Sequence, residues 1–180
     1  ENGMSFPWWH TKEDTLDKVD LNVLLRDTHV IARILSGLVS EDALPIDNLK
    51  FITLMLNELS RIQEGLNPDF DLSPIQQRLE ILKNLYQAYQ AENDDSETTH
   101  RKTMITAGTL TRITYTSCSP YHQDPALNQS PFASFQMAVK LSPESCPAPY
   151  YLAVKTLFLR QRNRLLDEIE KLISLYTINK

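Results

Sequence analysis

From Val154 to Tyr176, the residues Val154, Phe158, Leu165, Ile169, Leu172 and Tyr176 fall at intervals of three, four or seven. Those intervals bring side chains back to one side of an α-helix, whereas a strand would scatter them over both faces. Leu159, Leu166 and Ile173 broaden the stripe. The run therefore predicts one long helix, from about Tyr150 to Tyr176, that needs neighbours to cover it. Only four glycines occur in 180 residues, so few backbone positions can take positive φ, which disfavours hairpin-rich folds.

Three further helices are read from the amino-terminal half. The first runs from about Leu16 to Val39. Leu21, Leu24, Leu25, Thr28, Ile31, Ala32, Leu35, Leu38 and Val39 share one face, and Val23, Val30 and Ile34 widen it. A face that wide belongs to a helix buried on more than one side or in contact with a partner. Asp14 or Thr15 is the expected cap. The second follows "SEDALP", with Pro45 in its first turn, a stripe of Leu49, Ile52, Leu56, Leu59 and Ile62, and a stop at Gly65. In the third, Ser73-Pro74 and Gln76 have the spacing of a capping box, and Ile75, Leu79, Leu82, Tyr86 and Tyr89 form a seam of two heptads.

Between these helices and the last one the pattern weakens. Residues 91–102, "AENDDSETTHRK", read as an exposed acidic linker. In 103–116, rich in threonine and β-branched residues, Thr111, Ile113 and Tyr115 alternate with Leu110, Arg112 and Thr114, the pattern of a short strand or hairpin. Residues 117–149 hold most of the ten prolines and read as an irregular segment lying over the bundle, with a short helix around Phe132, Phe135 and Val139. The expectation is a single all-α or nearly all-α domain over 1–180, four-helix-bundle-like, with an aromatic arm at 1–14 and at most a minor β element.

Chemistry is sparse. Gly3, Gly37, Gly65 and Gly108 lie far apart, which excludes a P-loop and a dinucleotide fingerprint. No serine sits in a nucleophile elbow, and His-Glu-x-x-His is absent. His29, within the first helix, reads as a hydrogen-bonded or partly exposed residue rather than a base. Cys118 and His122 are close enough to share a zinc ion, but Cys146 and His100 do not complete a second close pair, so no metal site is expected. The acid pairs Glu41-Asp42, Asp94-Asp95 and Asp167-Glu168 have polar surroundings and read as solvated surface. Arg160, Arg162 and Arg164 form the densest basic group, and Arg164 with Glu168 is expected to neutralise it. With a net charge of −5, nucleic acid is not the expected partner. No apolar run reaches the ~18 residues of a membrane span, and nothing at the amino end has the form of a signal peptide, although a start at Glu1 leaves a removed leader open.

Ser119-Pro120, Ser130-Pro131 and Ser142-Pro143 begin turns in one reading and are proline-directed phosphorylation sites in another. The arm holds the only two tryptophans side by side, and adjacent side chains diverge on any backbone, so Trp8 and Trp9 cannot fill one pocket. The pair either lids the helices or anchors a partner. The function expected is a non-enzymatic protein–protein interaction subunit or adaptor of a larger assembly in the cytoplasm or nucleus. It would act without cofactor, metal or small-molecule substrate, and bind other protein subunits by helix packing through Phe6, Trp8, Trp9, Val23, Val30 and Ile34. One alternative is a secreted four-helix signalling ligand with a Cys118–Cys146 disulfide. Another is a small enzyme whose pocket draws on residues far apart in sequence.

Overall fold

The computed structural model describes residues 7–40, 45–92, 97–117, 124 and 130–177. Six α-helices occur among them: α1 (Leu21–Ser40), α2 (Asn48–Glu64), α3 (Ser73–Glu92), α4 (Glu97–Tyr115), α5 (Ala133–Gln136) and α6 (Ala148–Thr177). The chain divides into two compact units, Glu1–Pro45 and Ile46–Lys180, where a single domain was expected. The all-α, bundle-like expectation holds, and the one β feature among the described residues is an isolated Leu66–Val139 bridge.

In the second unit, α2, α3, α4 and α6 form an up-down-up-down bundle. Gln76 Nε2 donates to Ser60 Oγ (3.0 Å) and Asn48 Nδ2 to Tyr86 Oη (3.2 Å), which sets α2 antiparallel to α3. Tyr89 and Thr99 hydroxyls meet at 3.3 Å, and Arg112 pairs with Glu168, so α4 is antiparallel to both α3 and α6. Arg78–Glu170 (2.6 Å) and the Tyr86–Tyr176 edge contact then place α3 and α6 parallel, in the most extensive helix contact of the unit. The stripe on α6 is buried as its spacing requires, from Val154 to Tyr176, and meets Ile75, Leu79, Leu82 and Tyr86 of α3.

The bundle's fourth wall is α4, where a linker and a strand were expected. Lys102, Thr106, Leu110, Ile113 and Thr114 are its buried positions, a helical repeat in which threonines replace the usual aliphatics. Strand propensity is a preference for a pleated, half-buried surface. Here the groove left by three other helices supplies a helix-shaped site, and Thr106 and Thr114 satisfy their hydroxyls by donating to the carbonyl four residues back.

Three local expectations are corrected. Asp47, not Pro45, starts α2, accepting from Lys50 N–H (2.8 Å). At the start of α3, Asp71 Oδ1 accepts from Ser73 N–H (2.9 Å), while Gln76 reaches across to α2 instead of closing a capping box. Asp20, not Asp14 or Thr15, caps α1, accepting from Asn22 N–H (2.8 Å). A short carboxylate closest to the helix start reaches the free N–H groups best.

The described part of the α4–α6 connection from residue 130 onward covers one end of the bundle instead of crossing its length. Phe132 N–H donates to Thr114 C=O (2.7 Å), and Lys140 N–H to Gly65 C=O (2.8 Å). Phe135 is fully buried against Phe158, whose other neighbour is Phe70 of the α2–α3 connector. That connector is itself clamped. Gln63 Nε2 donates to Phe70 C=O (3.1 Å), and Leu72 N–H donates to Gln63 Oε1 (2.7 Å). Phe132 and Lys140 sit at φ 53° and 62°, unfavourable for residues with a Cβ, so the burial of Phe132 and the backbone hydrogen bonds of both must hold them there.

Gly65 ends α2 without the left-handed conformation common at such stops, since its φ is −93°. It is glycine because a Cβ there would lie 2.9 Å from Val139 Cγ1. Valine is stiff at χ1 and cannot turn away freely. Gly65→Ala is expected to cost about 1–3 kcal/mol by overpacking. Adding Val139→Ala should recover part of that loss, a coupling readable in a double-mutant cycle of denaturant melts.

Candidate functional site

The first unit carries its apolar surface outward. At ~100° per residue, the apolar positions of α1 sweep about 220°, more than half the circumference. No residue of α1 is buried, and Leu24, Leu25, Ile31 and Leu35 are each more than half exposed. Asn22, Arg26, His29 and Arg33 fill the narrow polar strip opposite. Val23, Val30 and Ile34 are exposed and form one flank of the face. Its centre is Leu24, Ile31, Leu35 and Leu38, on the face expected either to be buried on more than one side or to meet a partner.

The arm before α1 is a tight turn. Thr11 N–H and Oγ1 both donate to Trp8 C=O (3.0 and 2.6 Å), with His10 at φ 60° in the position of a turn that favours a left-handed residue. The turn separates the two indoles. Trp8 is half-buried with Lys18 Nζ 5.9 Å from its ring, while Trp9 is exposed and lies against His10. Phe6 lies outside the described residues.

No catalytic constellation gathers elsewhere among the described residues. No group of three His, Cys, Asp or Glu side chains is placed to hold a metal, and Cys118 and His122 lie outside the described residues. His29 is exposed on the polar strip of α1. Of the acid pairs, Glu41-Asp42 and Asp94-Asp95 lie outside the described residues. Asp167 and Glu168 both bind Lys171, and Glu168 also binds Arg112. The Lys171 hydrogen bond, then Arg112, hold the Glu168 carboxyl below its usual range, the reverse of what a general acid needs. The expected Arg164–Glu168 pair does not form, because Arg112 and Lys171 occupy Glu168. Ser142-Pro143 begins a turn, closed by Ser145 N–H donating to Ser142 C=O (3.1 Å).

A polar layer that the sequence pattern did not announce occupies the end of the bundle opposite the phenylalanines. Asn48 is buried and donates to Tyr86 Oη (3.2 Å) and Thr103 C=O (3.1 Å). The Tyr176 hydroxyl meets Thr106 Oγ1 and donates to Lys102 C=O (3.3 Å). Lys102 is buried along its stem, with its ammonium 4.6 Å from the Tyr89 ring and 5.7 Å from that of Tyr176. Cation–π attraction of this kind contributes about 0.5–2 kcal/mol. The signal for this layer was the spacing of Thr99, Thr103 and Thr106, helical but written in polar residues. No membrane-spanning helix, long and apolar enough, occurs among the described residues.

Burial raises the Tyr176 hydroxyl above the ordinary tyrosine value. Its neutral form is favoured by the fold, so its contribution is full below about pH 10 and is lost as pH rises through the raised folded value. Tyr176→Phe should cost about 1 kcal/mol at pH 7. It should also flatten the decline in stability above pH 10, which denaturant melts at pH 7 and pH 11 would measure.

Compared with protein-family models, with curated proteins and with solved structures, the chain finds no match.

Proposed function

We propose that this protein is a non-enzymatic helical interaction subunit, an adaptor within a larger intracellular assembly, that docks through α1 onto helices of another protein. The observation that carries the reading is an α1 with a broad apolar face and no buried residue. Contiguous apolar surface with a polar rim is the mark of an interface, and an amphipathic helix supplies anchors at i, i+3, i+4 and i+7. Leu24, Ile31, Leu35 and Leu38 follow that spacing, and exposed Trp9 adds a side chain of the type enriched at binding hot spots.

The alternating directions of α2, α3, α4 and α6 favour this reading over the secreted signalling ligand, because bundles of that kind carry two long crossover connections. The cysteine pairing that alternative needs involves Cys118, outside the described residues, while Cys146 is half-buried with its thiol 3.7 Å from Ser142 C=O.

The test compares the full chain with an Ile31→Glu/Leu35→Glu variant, glutamate being a good helix former. Affinity purification from the native source, followed by light scattering of the recovered complex, should find a stoichiometric partner with the wild type. The variant should lose it by at least tenfold in affinity, at an unchanged melting temperature of the bundle. Recovery of the wild-type chain always alone and monomeric would overturn the proposal. Trp8→Ala/Trp9→Ala separates the two roles of the arm: lost binding at unchanged melting temperature marks an anchor, and lost stability alone marks a lid.

A further inference from the structure

A second surface, on the bundle itself and independent of α1, gathers groups that the fold leaves unused. A cleft of ≈ 280 Å³ lies where the end of α4 and the α5 segment meet α6, and its walls include Ser117, Met137, Leu157, Arg160, Gln161 and Arg164. Arg160, Gln161 and Arg164 come from adjoining turns of α6, so one face of one helix supplies three of the polar groups.

Among the described residues, Arg160, Arg164 and the Ser117 hydroxyl lack partners. Arg160 and Arg164 make no ion pair or hydrogen bond among the described residues, since Glu168, the acid spaced to neutralise Arg164, is held by Arg112 and Lys171. Gln161, 6% exposed, lines the cleft between the two arginines. The Ser117 hydroxyl is buried and unpartnered among the described residues. Leaving the buried Ser117 hydroxyl unpaired is unfavourable, so a ligand that accepts its hydrogen bond gains what the fold forgoes, while the solvent-facing arginine forks exchange water for the ligand. Arg162 is not among the lining residues; its Nη1 donates to Asp71 C=O (3.4 Å), while its buried Nε has no partner among the described residues. An acid close by, Asp124, accepts from the Ser117 backbone N–H (2.8 Å) and is not among the lining residues.

The donor set discriminates among anions. Two guanidinium groups and a hydroxyl offer two positive charges and more donors than the two oxygens of a carboxylate accommodate. A phosphomonoester carries nearly two negative charges and three terminal oxygens, and guanidinium forks match its geometry. Beside the arginines the cleft is apolar. Met137 and Leu157 are 48% and 50% exposed, an unfavourable wall for a bare inorganic ion and a favourable one for a hydrophobic substituent. We propose that this cleft binds a phosphomonoester bearing an apolar group, with its phosphoryl oxygens on Arg160, Arg164 and Ser117 and its apolar part against Met137 and Leu157.

Calorimetric titration of the full chain with phenyl phosphate tests it. Saturable binding is expected, at least tenfold tighter than for inorganic phosphate or benzoate. Arg160→Gln and Arg164→Gln should each weaken it at least tenfold. Lys50→Gln, which removes the same charge from an exposed position of α2 outside the cleft, should change it less than twofold. Arg160→Lys, keeping the charge without the fork, should fall between. Melting curves verify that each variant is folded. A phosphoserine peptide with a neighbouring leucine identifies the source: tighter binding than phenyl phosphate marks a phosphorylated protein segment, and weaker binding marks a small phosphomonoester. Absence of saturable binding, benzoate binding as tightly as phenyl phosphate, or Arg160→Gln and Arg164→Gln binding like the wild type would each overturn the proposal.

Discussion

The burial of one long stripe on α6 against α3 is the contact on which the second unit depends. Val154, Phe158, Leu165, Ile169, Leu172 and Tyr176 are all buried, and each large apolar side chain removed from water contributes about 1.5–3 kcal/mol. Two parallel helices cannot enclose such a stripe alone. The grooves on either side of the pair must be filled by helices of the opposite direction, and α2 and α4 fill them. The chain returns from α4 to α6 at the same end of the bundle, which is why the described residues 130–147 cap that end.

The two ends of the bundle are chemically different. At one end Phe70, Phe135, Tyr151 and Phe158 make edge and tilted ring contacts, a geometry that adds to simple area burial. At the other, Asn48, Tyr86, Lys102, Thr106 and Tyr176 form a connected polar layer. A slip of α4 along its neighbours would strand several of these groups without partners, at a penalty that greasy packing alone would not impose. The aromatic end favours association, and the polar end fixes the register in which it happens.

Pairing also separates structural groups from those open to function. Arg112, Lys155 and Lys171 each have an acid, so their charges are committed to holding helices together or to a helix surface. Arg160 and Arg164 have none among the described residues, and α1 has no buried residue on its apolar face. These are two unmet demands, one electrostatic and one hydrophobic, on separate elements of the chain.

Helix existence was legible in the sequence wherever apolar residues carried the period: the α6 stripe, Ile52 to Ile62 in α2, Ile75 to Tyr86 in α3 and the whole of α1. The wide face of α1 was legible too, because it needs only the spacing of its own residues. By contrast α4, the Gln63 clamp, the buried Phe70 and the tyrosine–lysine layer were decided by tertiary structure. Their residues are polar or sit in a connector, and only the groove made by other helices gives a threonine-rich segment a reason to be helical. The partners of Glu168 were likewise a tertiary matter. Sequence proximity favoured Arg164, but Arg112 arrives from 56 positions away because antiparallel packing brings α4 beside α6, leaving Arg164 facing the cleft.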